Sequence, residues 1–238
     1  MANSDHIVAS FDRDLEGIQA QIMRMGGLVE DAIAKATQAL DMRDVDLARE
    51  VRQGDTAIDA LEELVNGEAA RIIAQRQPTA SDLRTVLTVF RVSANLERIG
   101  DYAKNIAKRT ETIIDQPPVN GTGASLRRMA RQVELMLKDA LDAYIQRDAD
   151  LAADVRARDV DVDQMYSALF REYLTFMMED PRNITTCMHL HFMAKNIERM
   201  GDHVTSIAEQ VIYLVTGDLP DEDRPKQDRT PHDAGVTK

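Results

Sequence analysis

The stretch NLERIGD, from Asn95 to Asp101, returns 101 residues later as NIERMGD, from Asn196 to Asp202. Five of the seven positions are identical in the two copies. Further upstream the repeat has a spacing of 104 residues: Asp55 and Asp59 return as Asp159 and Asp163. An internal period near 100 residues in a chain of 238 indicates a tandem duplication of one small domain.

Composition favours helices packed on helices. Aromatic residues make up 4% of the chain, tryptophan is absent, and the apolar residues are mainly good helix formers. The formal net charge of −12 argues against a nucleic-acid partner, since such a partner requires a clustered basic surface. The chain also has no apolar run of the roughly 20 residues that a membrane span requires. Together with the lack of a signal peptide, this predicts a cytoplasmic protein.

Hydrophobic periodicity predicts six helices, three in each half. Five of them have approximate ranges of 11–40, 47–75, 125–146, 149–179 and 181–215, and the third starts at Thr79 with an apolar face from Val86 to Ile106. Thr79 and Asp82 form a capping-box-like start for the third helix, and Asp180 followed by Pro181 starts the sixth. The predicted fold is all-α, with two antiparallel three-helix bundles at residues 1–116 and 124–216. The acidic tail at 217–238 is predicted to be disordered because it has few apolar residues.

Acidic residues form the main candidate site. Within each helix the acids stand four residues apart, so they share one helix face. Acids on neighbouring helices are equidistant from the predicted turn, which places them level with each other across an open groove. The predicted metal ligands are Asp55, Asp59, Glu97 and Asp101 in the first repeat, and Asp159, Asp163, Glu198 and Asp202 in the second.

Oxygen ligands of this kind suit a divalent cation such as Mg²⁺ or Mn²⁺, or an iron-type ion. The alternative is a solvated acidic face, paired with Arg98, Arg199, Lys104 and Lys108. Gly100 and Gly201, which are unfavourable inside a helix, would then only permit close helix contact. Spacing alone leaves both interpretations open.

Other reactive residues fit the core better than a site. Cys187 corresponds to Val86 in the first copy, which indicates a small buried residue. His189 and His191 have no histidine counterparts and are interpreted as surface or core residues, whereas His203 is placed beside the second acidic site only. The apolar stripe from Met165 to Met177 is interpreted as core, with room for a dimer contact.

The chain resembles the PhoU family of phosphate-transport accessory proteins. The resemblance lies in the duplicated Glu-Arg-x-Gly-Asp motif, in the segment from Arg71 to Arg84, in Met25-Gly26-Gly27, and in Met177-Met178-Glu179-Asp180. It covers about residues 10–215 and implies two three-helix bundles with multinuclear metal sites (Mg, Mn, Fe or Zn) on the eight acids named above.

The resemblance also implies a function. It implies a cytoplasmic, non-enzymatic negative regulator of phosphate uptake that forms a homodimer. Its implied partners are the ATP-binding subunit of the phosphate ABC transporter and a phosphate-sensing histidine kinase. The main alternative is a carboxylate-bridged metalloenzyme, which typically requires Glu-x-x-His pairs. None of the five histidines stands three residues after a glutamate, so this alternative is disfavoured.

Overall fold

The computed structural model describes residues 2–78, 80–119 and 122–220. Every regular element in these ranges is a helix, so the all-α prediction is confirmed. The elements are α1 (Ala2–Met42), α2 (Val45–Arg76), α3 (Ala80–Ile113), α4 (Thr122–Gln146), α5 (Ala149–Ala157), α6 (Asp159–Glu179), a 3-10 turn (Pro181–Asn183) and α7 (Ile184–Thr216).

The turns between helices repeat the same local chemistry in both halves. Asp44 and Asp148 cap the helices that follow them, each accepting hydrogen bonds from the backbone N–H groups two and three residues ahead. As predicted, Asp180 caps the turn that leads into α7, with Pro181 at its first position. The predicted cap at Thr79 lies outside the described residues.

One predicted helix is interrupted. The segment 149–179 was expected to be continuous, but Arg158 separates α5 from α6. Its guanidinium pairs with Asp139 of α4 at 2.6 Å and with Asp154 of α5 at 3.2 Å. The segment contains neither glycine nor proline, so no local sequence signal marks this break.

The two repeats pack against each other through one shared core. The buried apolar residues form a single cluster that includes side chains from all seven α-helices. Helix α1 packs on α4 as well as on α2 and α3, and α3 packs along α7. At the crossing of α1 and α4, the Leu141 side chain takes the space that a Cβ atom on Gly26 would need.

Helices α3 and α7 run antiparallel. Residues near the start of α3 contact residues near the end of α7, as in the pairs Arg84 with Tyr213, Asn95 with His203, and Arg109 with His189. The two copies of the motif therefore lie on helices that pack against each other in opposite directions.

The end of α7 is fixed by a glycine. Gly217 has a φ of 93° and caps the helix with a hydrogen bond to the carbonyl of Tyr213. Of the tail predicted to be disordered, residues 221–238 lie outside the described residues. The predicted domain limits at 116 and 124 stay a prediction. Within the described ranges, no helix is long and apolar enough to cross a bilayer.

Candidate functional site

The glycine of each motif allows the neighbouring helix to approach closely, and an aspartate of that helix then lies beside the motif. A Cβ atom on Gly100 would lie 3.0 Å from Ile58 Cδ1 and 3.8 Å from Asp55 Oδ1 of α2. In the second repeat, a Cβ atom on Gly201 would lie 3.3 Å from Val162 Cγ1 and 3.5 Å from Asp159 Oδ1 of α6. The two glycines therefore permit the same close helix contact in both repeats, and each contact places an aspartate beside its motif.

The first acidic cluster is held together by a lysine. The Lys104 ammonium donates a hydrogen bond to Asp55 Oδ2, and it lies 3.6 Å from Asp101 Oδ1. Asp55 and Asp101 therefore lie level across the α2–α3 contact, as their distances from the turn predicted. Arg98 lies 3.6 Å from Glu97 and 3.8 Å from Asp101 on the outer side of α3.

Desolvation, together with the crowding of acids, raises pKa values in the first cluster. Partial desolvation, followed by repulsion from Asp55, raises the pKa of Asp59. Desolvation, followed by repulsion from Asp101, raises the pKa of Glu97. The hydrogen bond to Asp55 raises the pKa of Lys104, so the lysine is held in its charged form.

The second cluster is centred on a buried glutamate. Glu198 is 6% exposed, and its Oε1 accepts a hydrogen bond of 2.8 Å from Lys195. Its Oε2 is buried without a hydrogen-bond partner. Burial raises the pKa of Glu198, and the neighbouring carboxylates of Asp202 and Asp163 raise it further, against the opposing effect of Lys195. Glu198 and Asp163 were predicted to be level, and this coupling agrees with that.

Half of the eight acids are buried instead of lining a groove that is open to solvent. For these four the prediction of an open groove is wrong. Four of the eight side chains are buried: Asp55, Asp159, Asp163 and Glu198. Glu97, Asp101 and Asp202 are half-buried, and Asp59 is exposed. The ion pairs of Arg98 and Lys104 agree with the alternative of a salt-bridged acidic face. The burial of four carboxylates does not agree with that alternative, because a solvated face would leave its acids in water and burying a carboxylate costs stability.

The two clusters fit a divalent cation unequally. Their donors are all oxygens, which suits hard cations. Among the described residues, however, no group of three or more His, Cys, Asp or Glu side chains is arranged so that it could hold a metal ion. In the second repeat, the unpartnered Oε2 of Glu198 leaves a buried oxygen for a cation. In the first repeat, the Lys104 ammonium already takes that place beside Asp55.

The cysteine and the histidines considered as candidates pack against other side chains. Cys187 is fully buried, as predicted. His191 packs between Tyr166 and Phe170, with ring centroids at 5.8 and 5.3 Å. His203 Nδ1 lies 2.8 Å from Asn95 Oδ1, and its ring lies 5.7 Å from that of Tyr102. It therefore joins the two repeats at the α3–α7 contact, a role that the sequence did not indicate.

Two contributors to the site were missed at the level of sequence. Lys195 binds Glu198, and Glu62 is one of the acids that raise the pKa of Glu97. The spacing of three residues between Lys195 and Glu198 was an available signal, since such pairs meet on a helix. No comparable signal identified Glu62, because its approach depends on how α2 packs on α3.

Fold and site together define a class of duplicated all-α proteins that carry paired carboxylate clusters at their helix–helix contacts. The PhoU domain model matches the chain twice, at residues 22–110 and 126–211, and the chain belongs to the PhoU family. The matches cover the α1–α3 and α4–α7 halves in turn, in agreement with the duplication read from the motif.

Relatives and solved structures agree with this assignment. The chain is 44% identical over 232 residues to the phosphate-specific transport system accessory protein PhoU homolog of Rhizobium meliloti (strain 1021), covering 98% of each. It is 44% identical to the homolog of the same description from Caulobacter vibrioides (strain NA1000 / CB15N), covering 94% of this chain and 98% of that one. The crystal structure of PhoU from Pseudomonas aeruginosa, 40% identical, superposes with a TM-score of 0.85 over 87% of this chain and 100% of that chain.

Proposed function

We propose that this chain is an accessory protein that regulates phosphate-specific transport and does not itself catalyse a reaction. The observation that carries the proposal is the 44% identity over 98% of a relative described as a phosphate-specific transport accessory protein. Both copies of the motif carry their full set of acids here.

The proposed mode of action is that of a cytoplasmic adaptor. The chain, as a homodimer, would contact the ATP-binding subunit of the phosphate ABC transporter and a phosphate-sensing histidine kinase, and would keep the phosphate-starvation response off when phosphate is ample. The net charge of −12 supports partners with basic contact surfaces, because complementary charge accelerates and orients association.

Divalent cations form part of the proposal. The residues that would hold Mg, Mn, Fe or Zn ions are the four acids of each cluster, with Glu198 supplying a buried and unpartnered oxygen. A bound cation would favour the charged form of acids whose pKa values are raised, first by desolvation and then by the neighbouring carboxylates, at Asp59, Glu97 and Glu198. The carboxylate-bridged metalloenzyme is not favoured, since its Glu-x-x-His pairs are missing from the sequence.

A deletion strain tests the regulatory role. We expect a reporter of phosphate-starvation genes to stay active in the deletion strain at high phosphate, and to fall silent when the wild-type chain is restored. A reporter that is silent in the deletion strain at high phosphate would contradict the proposal. Binding of the purified chain to the purified ATP-binding subunit, measured with and without Mn²⁺, would test the adaptor role separately.

A further inference from the structure

The two acidic clusters differ at one position of the motif helices. Three residues after Asp101, α3 carries Lys104, and the corresponding position after Asp202 on α7 is Thr205. Before the motif the lysine is in the second repeat instead: Lys195 of α7 corresponds to Ala94 of α3. The duplicated sites therefore hold their lysines at different places, although each site has its full set of four acids.

In the first repeat the lysine lies where a cation would bind. Lys104 binds the buried Asp55 and also lies 3.6 Å from Asp101, so its ammonium lies between acids of both helices. A divalent ion at this cluster has to displace the ammonium or bind beside it. Either event opposes binding, since like charges at such short range repel strongly where water is partly excluded.

In the second repeat, where Thr205 replaces the lysine, two buried side-chain oxygens have no hydrogen-bond partner. Thr205 is fully buried and its Oγ1 has no hydrogen-bond partner; the same is true of Glu198 Oε2. Glu198 and Thr205 lie one turn before and one turn after Gly201, and Asp159 Oδ1 lies 3.5 Å from the position of a Cβ atom on Gly201. The part of α7 around Gly201, which Asp159 approaches, thus carries two buried oxygens without hydrogen-bond partners.

Lys195 contacts the second cluster at Glu198, on the N-terminal side of the motif on α7. Its ammonium donates to Glu198 Oε1, and it lies 4.9 Å from the centre of the Tyr166 ring. It therefore approaches Glu198 from the Tyr166 side and leaves Oε2 available. Buried oxygens without partners are unfavourable, and a cation or an ordered water satisfies them.

We propose that the two clusters are unequal: the second repeat binds the divalent cation, Lys104 acts as the resident cation of the first repeat, and the Lys104/Thr205 difference determines this. The inference rests on the proposed function, because it assumes that the family's acidic clusters bind divalent cations in this chain. It adds which cluster binds the cation and which residue opposes binding at the other cluster.

Calorimetric titration with Mn²⁺ tests the inference on the full chain after removal of metals by a chelator. We expect one class of tight sites in the wild type, and loss of that class in Glu198→Gln. In Lys104→Thr, which gives the first repeat the residue of the second, we expect a further tight class, with affinity for the first repeat raised about tenfold or more. Lys108→Thr is the matched control, because it removes the same charge from an exposed position one turn further along α3.

The outcomes separate the inference from the proposed function. If the wild type binds equally tightly at both repeats, and Lys104→Thr titrates like Lys108→Thr, the inference is wrong and metal binding stands. If neither the wild type nor Lys104→Thr binds Mn²⁺, the metal part of the proposed function fails, and the inference fails with it. Circular dichroism of each variant verifies that its helices are intact, and Lys104→Gln gives a second charge-removing variant of similar length.

Discussion

Gly100 of α3 faces Ile58 of α2 so closely that a Cβ atom on the glycine would lie 3.0 Å from Ile58 Cδ1. Ile58 is 2% exposed and packed in the core, so its side chain has little room to move. The contact fixes the approach of α2 to α3, and with it the position of Asp55 beside the motif. The equivalent contact between Gly201 and Val162 does the same for Asp159.

The first prediction concerns this contact. Gly100→Ala gains about 1 kcal/mol of helix propensity and loses about 1–3 kcal/mol through overpacking, so we expect the free energy of unfolding to fall by about 1 kcal/mol. Gly54→Ala is the control, because nothing lies within 4 Å of a Cβ atom at that exposed helical position. We expect Gly54→Ala to raise the free energy of unfolding by about 1 kcal/mol. Urea denaturation measures both changes, and equal stabilisation by the two variants would contradict the close contact.

The second prediction concerns the pairing of Lys104 with Asp55. Lys104→Met leaves a buried carboxylate without its partner, and we expect a loss of about 1–2 kcal/mol in the free energy of unfolding of the metal-free chain. Lys35→Met is the matched control. Lys35 is about as exposed as Lys104, but its partners Asp31 and Glu50 are 53% and 61% exposed, against 3% for Asp55. We expect Lys35→Met to lower the free energy of unfolding much less than Lys104→Met does, because its partner acids are exposed to water. A similar loss in both variants would show that burial of the partner acid is unimportant.

The third prediction concerns the pH dependence of stability. Burial raises the pKa of Glu198 above its ordinary value of 4.5, so the folded chain binds this proton more tightly than the unfolded chain. The resulting stabilisation is fully present below pH 4.5 and is lost as the pH rises through the raised pKa. Glu198→Gln removes this titration.

The difference in stability between Glu198→Gln and the metal-free wild type therefore isolates the effect. We expect the variant to gain stability relative to the wild type as the pH rises from about 4.5 to 7. Melting curves across this range measure the difference. A difference that is constant over the range would contradict a raised pKa for Glu198.

The fourth prediction concerns stabilisation by metal. At a Mn²⁺ concentration of about 100 times the Kd, binding to the folded chain adds about 2.7 kcal/mol, which corresponds to a rise in Tm of about 5–10 °C for a chain of this size. We expect Glu198→Gln combined with Asp202→Asn to lose most of this rise. The matching double variant in the first repeat, Glu97→Gln combined with Asp101→Asn, should keep most of the rise in Tm. If the acids are a solvated face, neither the wild type nor any variant will respond to Mn²⁺.

Much of the fold followed from local sequence patterns. The apolar period of each segment predicted the helices, and Asp180 followed by Pro181 predicted the turn before α7. The equal distance of Asp55 and Asp101 from the turn predicted that they lie level, because two antiparallel helices rise by the same length per residue. These properties depend on geometry within one helix or one hairpin.

Only the tertiary structure decided how buried the acids are and which cations accompany them. Burial depends on how each helix is rotated and on what packs against it, and here the two repeats share one core through α1, α3, α4 and α7. The pairing of Lys104 with Asp55 and the unpartnered Oε2 of Glu198 follow from contacts between helices that are distant in sequence. The sequence by itself determined a duplicated helical chain with eight matched acids, whereas packing between helices made two matched sets of acids into two different sites.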